Sequence, residues 1–199
     1  MISESTIIKA KQYTKKLLVS LGSKYLFHNW NHTKEVVNVS EELGIICGLS
    51  EKELSLLKLA AYFHDTGHIK SYTEHEEISA KIAEEWLEIR GVAKSEIEIV
   101  KSLILSTKLS SPCVTIMQKV LHDADLSHIG TLDMEKRANA LRKEWEQLFQ
   151  SKYSDKEWLC LQISFLKNLK FLTVPAKNKY NSIVKKHINL MEQKLSELD

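Results

Sequence analysis

Seven of the eight histidines fall between positions 28 and 128, several of them beside carboxylates. They lie in FHNWNH at 27–32, HDTGH at 64–68, EHEE at 74–77 and LHDADLSH at 121–128. Imidazole nitrogens and carboxylate oxygens are the donors that hold a borderline divalent cation. The pair His64–Asp65 closes an apolar run, LKLAAYF. An ionisable pair at such a place is costly without partners or a metal. Adjacent helical side chains point about 100° apart. The two therefore converge on one ion only where the helix ends, and Gly67 supplies such a break. Taken singly, each cluster also has a plainer reading. His64–Asp65 could be a hydrogen-bonded helix end, His32 a residue capping a helix start, and Asp123 or Asp125 a helix-ending cap.

The elements that would position these residues are helices. Six glycines and two prolines leave few points where a chain of this length can turn. Ser50-x-x-Glu53, Thr73-x-x-Glu76, Ser95-x-x-Glu98 and Ser154-x-x-Glu157 match the pattern in which a hydroxyl and a carboxylate cap a helix start. Val36, Val39, Leu43 and Ile46 recur at three- and four-residue steps, an inward apolar stripe. The pattern predicts helices near 5–21, 31–47, 51–64, 74–90, 96–108, 113–123, 131–150, 155–172 and 175–197. Gly48 and Gly91 stand where a helix terminus takes a left-handed residue, and Pro175 suits a first turn. Sustained strand alternation is absent. The expected fold is all-α, one domain over 1–199. Its His-rich core spans about 25–130, and C-terminal helices over 131–199 pack on it.

Bulk properties exclude several classes. A net charge of +2 provides no global field for nucleic acid or an anionic membrane. The lysines at 167, 170, 177, 179, 185 and 186 read as a solvated face rather than a phosphate patch. Cys47, Cys113 and Cys160 are widely spaced, the pattern of reduced thiols. No segment has the apolar length of a signal peptide or a membrane span, so a cytoplasmic location is expected.

Taken in order, His32, His64–Asp65 and Asp125 resemble the ligand set of the HD-domain superfamily of metal-dependent phosphohydrolases. Their spacing is about thirty and then about sixty residues. FHNWNHTKEVV is similar to the family's first motif, LAAYFHDTGH to its HD helix and HDADLSHIG to its last motif. The segments HNWNH and EHEEISA resemble a bacterial subgroup of predicted HD phosphohydrolases. In the last motif the aspartate of Ala-Asp-x-Leu is the ligand, which selects Asp125 over Asp123. The resemblance implies a compact HD-type helical bundle with a C-terminal extension. It implies one divalent metal ion (Mn, Fe, Co, Ni, Zn or Mg) on His32, His64, Asp65 and Asp125, with Asp65 also handling the proton of the attacking water. The implied partner is a small, nucleotide-like phosphoester. No base-reading or nucleic-acid motif accompanies it, and the C-terminal helices could form a dimer surface.

Binuclear relatives carry further histidines after the HD motif. His75 stands at one such position, but Thr107–Lys108 occupies the next. A second metal is thus the lesser reading, with His75 instead meeting phosphate or a water. His68 and Lys108 are candidates to neutralise phosphate oxygens. His28, His122 and His128 read as supporting residues. Among the tryptophans at 30, 86, 145 and 158, only Trp30 lies close enough to His32 in sequence to wall a pocket. Two other functions compete: a di-iron oxygenase, against which Thr107 weighs, and a non-catalytic nucleotide-binding module, against which the full ligand quartet weighs.

Overall fold

A computed structural model describes residues 2–198. Among these the chain forms nine α-helices and two short 3-10 turns, with no strand. They are α1 Glu4–Ser20, α2 Trp30–Ile46, α3 Glu51–Phe63, α4 His75–Glu88, α5 Lys94–Leu105, α6 Ile116–Asp125, α7 Met134–Phe149, α8 Asp155–Asn168 and α9 Val174–Ser196. The 3-10 turns are Thr66–Ile69 and Leu126–Gly130.

α3 is the buried axis. Leu56, Leu57, Leu59, Ala60, Ala61, Tyr62 and Phe63 are all buried, so its C-terminal half is enclosed on every side. α1, α2, α4, α5 and α6 pack around it. A helix enclosed in this way delivers its last residues, and the pair that follows, into the interior.

The capping signals hold at Ser50 and Ser154, where both halves of the reciprocal box form. A third box joins Thr115 to Gln118 at the start of α6. Thr73 and Ser95 do not cap. α4 begins at His75 after Glu74, which takes a left-handed conformation (φ 57°), and α5 begins at Lys94 with Ala93 before it. Gly91 turns left-handed at φ 67°. Only Val92 and Ala93 separate it from α5, so Ser95 falls inside the helix.

The 3-10 turns interrupt what the sequence pattern treats as simple helix ends. Gly67 has no positive φ; it is needed because a Cβ there would lie 2.0 Å from the His75 carbonyl oxygen. Its N–H donates to Ser79 Oγ at 2.7 Å. The turn after α3 is thereby pressed against the first turn of α4. Gly130 serves the second turn similarly, since a Cβ would meet the Tyr180 ring on α9 at 2.5 Å.

Candidate metal centre

Each expected ligand is placed by the end of an element. Asn29 accepts from Asn31 N–H at 2.9 Å and His32 N–H at 3.5 Å, capping α2 and putting His32 in its first turn. His64 continues the helical path of α3, and Asp65 follows at φ −103°, ψ 2°. Asp125 closes α6. His32 Nε2 lies 3.0 Å from Asp125 Oδ1 and 3.6 Å from Asp65 Oδ2. His64 Nε2 lies 3.2 Å from Asp65 Oδ2 and 3.5 Å from Asp125 Oδ1. The four side chains converge, and the donor atoms of His32, His64 and Asp125 all fall within 4.8 Å of one another.

The other oxygen of Asp65 faces a second group. Oδ1 is 3.8 Å from His68 Nε2 and 3.6 Å from His75 Nε2, and these three residues form a second compact donor trio. The His68 and His75 rings stack at 4.0 Å. Asp65 thus belongs to the second trio and turns its other oxygen toward the first.

The donor chemistry fits a cation. His64 Nε2, Asp65 Oδ2 and both ring nitrogens of His68 are buried without a hydrogen-bond partner. Buried polar atoms rarely go unpaired in a protein unless something else, such as an ion, meets them. His64 donates from Nδ1 to Ala61 O at 2.9 Å, and His75 from Nδ1 to Tyr72 O at 3.1 Å. Such bonds fix each ring and leave Nε2 for a metal, the usual support for a metal-ligating histidine.

The charges are strongly coupled. Burial alone would lower His64, but Asp65 and Asp125 outweigh it and hold the imidazole well above its ordinary value. Burial would conversely raise Asp65 and Asp125. His64, assisted by His28, keeps Asp65 well below its usual range, and His32 and His64 do the same for Asp125. His68 is pushed down to about 2 by burial and by the nearby charge of His28, so it stays neutral and ready to ligate. His128, which donates to the Asp125 carbonyl at 2.9 Å, is pushed down to about 3 by burial and by His32.

The neighbouring carboxylate has a different task. Asp123 accepts from the N–H groups of Leu172 and Thr173 and from the Thr173 hydroxyl, each at 2.7 Å. It tethers the start of α9 and takes no part in either trio. Of the three residues expected near phosphate, His68 and His75 join the cluster, whereas Lys108 does not. Its Nζ pairs with Glu77 at 2.7 Å on the surface. Trp30 stacks on Tyr62 at 6.2 Å, and Trp86 packs between Phe63 and Arg90.

Glu144 on α7 escaped the sequence reading. Its fully enclosed carboxylate accepts from His28 Nδ1 at 2.5 Å and Tyr72 OH at 3.0 Å. It also accepts from the N–H groups of Phe27 and His28. A glutamate in a polar helix carries no local mark of burial, and the reading of His28 as a supporting residue named no partner for it.

The HD domain family model matches residues 29–129, just over half the chain. The chain belongs to the HD domain family. Two crystal structures share its fold end to end. One, a protein from Listeria innocua, is 22% identical with a TM-score of 0.67, each chain fully covered. The other, from Lactobacillus plantarum, is 16% identical with a TM-score of 0.71, covering all of this chain and 97% of that one. At these identities the likeness speaks for the HD fold alone. No curated protein matches the sequence. Among the described residues of this HD protein, no helix is long and apolar enough to cross a membrane.

Proposed function

We propose that this HD protein is a metal-dependent phosphohydrolase that cleaves a small, nucleotide-like phosphoester. The observation that carries the reading is Asp65, which joins His68 and His75 in one donor trio and faces the trio of His32, His64 and Asp125 with its other oxygen, beside buried ligand atoms that nothing in the protein satisfies. His32, His64, Asp65 and Asp125 would hold the principal cation. A divalent cation bound there lowers the pKa of a water and polarises a phosphoryl oxygen. Asp65 would position the attacking water and take up its proton. The buried walls contributed by α2, α3 and α6 exclude bulk solvent and strengthen every charge–charge contact inside. His75, the more open member of the second trio, faces arriving phosphate.

The same trio supports a second cation on Asp65, His68 and His75. The His68 ring is fully enclosed and neither of its nitrogens has a hydrogen-bond partner, which suits a metal ligand better than a reader of phosphate. Metal analysis of protein refolded with excess Mn²⁺ decides between one and two ions per chain.

The test of the whole reading is a screen of phosphomonoesters, phosphodiesters and nucleotides with added Mn²⁺, Co²⁺, Zn²⁺ or Mg²⁺, comparing wild type with Asp65→Ala. Turnover should require the metal and vanish in the variant. Equal turnover by both proteins rejects it.

A further inference from the structure

His128 lies outside both donor trios, yet its ring is fixed in the same manner as theirs. Its Nδ1 donates to the Asp125 carbonyl at 2.9 Å, as Nδ1 of His64 does to Ala61 and Nδ1 of His75 to Tyr72. A carbonyl oxygen only accepts, so the ring hydrogen sits on Nδ1 and the lone pair on Nε2. Burial and the neighbouring His32 favour that neutral ring, and Arg137, paired with Glu35 one turn beyond His32 on α2, adds to this. The 3-10 turn that carries the ring is held from several sides. The His128 carbonyl accepts from the Thr131 hydroxyl at 2.8 Å and the Thr131 N–H at 3.3 Å. Thr131 O accepts in turn from His187 Nε2 on α9 at 2.8 Å. The ring packs on Phe27 with centroids 4.9 Å apart and stands 5.9 Å from the ring of His32. His128 is half-buried. Its Nε2 has no hydrogen-bond partner among the described residues and, unlike Nε2 of His64 and of His68, is not sealed from solvent. A rigid acceptor thus stands one ring's breadth from the first trio, with no donor from the protein to meet it.

We propose that His128 accepts a hydrogen bond from a substrate hydroxyl through Nε2, and that the phosphoester bound at this centre belongs to a vicinal diol such as the ribose of a nucleoside 3′-phosphate. This rests on the phosphohydrolase reading, because it needs a phosphoryl group beside His32, His64 and Asp125. With phosphorus held there, a hydroxyl that reaches a ring so close to His32 belongs to the carbon next to the esterified one. A methylene in its place covers Nε2 and offers it no donor, which disfavours the deoxy compound.

The test compares adenosine 3′-phosphate with 2′-deoxyadenosine 3′-phosphate, each titrated calorimetrically into the Mn²⁺-loaded protein, with metal content recorded for every variant. Where the nucleotides are cleaved, the ratio of their kcat/KM values replaces the ratio of affinities. Wild type should prefer the ribonucleotide by about 2- to 10-fold. His128→Asn keeps an N–H near the Asp125 carbonyl and removes the Nε2 lone pair. Its preference should vanish, with metal content and affinity for the deoxynucleotide unchanged. His128→Gln sets an amide oxygen near the Nε2 position and should keep part of the preference. Because the readout is a ratio within each variant, a general loss of affinity cancels from it. A wild type that binds both nucleotides equally, or neither, overturns the proposal. So does a His128→Asn protein that keeps the wild-type preference, binds neither nucleotide or loses its metal, since the ring would then serve only to hold Asp125. A His128→Gln protein with no more preference than His128→Asn overturns it as well. The phosphohydrolase reading is judged separately, by metal-dependent turnover of the phosphoester panel in the wild type. A protein that prefers the ribonucleotide through His128 yet cleaves no ester would lose that reading and keep this one.

Discussion

Asp123 and Asp125 are two residues apart and chemically identical, yet the fold uses them for different ends. Asp125 faces His32 and His64, while Asp123 faces the N–H groups that open α9. Substitution should therefore separate binding from stability. Asp125→Ala is expected to weaken metal affinity at least about 10-fold. Asp123→Ala should keep the metal but leave two buried donors unpaired. That costs about 3 kcal/mol, or about 6–12 °C in Tm for a protein of this size. Metal analysis and thermal unfolding of both variants check this; metal loss from Asp123→Ala alone would reverse the assignment. The converging quartet of His32, His64, Asp65 and Asp125 was legible because its residue types recur in a recognisable order. The choice between the two aspartates came from the Ala-Asp-x-Leu resemblance, and the hydrogen bonds of Asp123 supply its physical reason. Lys108 was misleading because nothing in a sequence shows that Glu77, on another helix, will claim its ammonium group.

At the scale of elements, the turn after α3 positions Asp65, His68 and His75 together. Gly67→Ala would drive a methyl group into the His75 carbonyl. We expect a loss of about 3 kcal/mol in urea unfolding, and a near-neutral variant would show that α4 can move away freely. The α7 contact makes a second prediction through pH. Burial opposes the charge on His28, but Glu144, with Asp65 and Asp125, raises it above its usual 6.5. Burial likewise opposes the charge on Glu144, but His28 and the two backbone donors hold it below its usual 4.5. A raised histidine contributes fully below its unfolded value, and the contribution is lost as pH rises through the raised one. A lowered glutamate contributes fully above its unfolded value, and the contribution is lost as pH falls through the lowered one. The stability difference between wild type and Glu144→Gln, measured without metal, should be greatest between about pH 4.5 and 6.5 and shrink on either side. A difference that stays flat from pH 4 to pH 8.5 would contradict the ion pair.

For the whole molecule, the donor atoms come from α2, from the end of α3, from the turn after it, from α4 and from α6. An ion bound there ties these elements together and stabilises the folded state alone. At a metal concentration about 100-fold above Kd the gain is about 2.7 kcal/mol, so EDTA should lower Tm by about 5–11 °C. Chelation that leaves Tm unchanged would argue against a site shared among these helices. The predicted helices match the observed ones to within a few residues because scarce glycine and proline leave few places to turn. The two 3-10 turns were not anticipated, since each depends on contact with a later helix, α4 in one case and α9 in the other.

The chain by itself determined its helical class, its helix order and the convergence of His32, His64, Asp65 and Asp125. Those follow from local patterning and from the order of residue types. Tertiary structure alone decided that His68 joins His75 across Asp65, that Lys108 turns outward to Glu77, and that Glu144 reaches back more than a hundred residues to hold His28. Each of these depends on which helices press together, and side chains distant in the chain meet only once the core between them has closed.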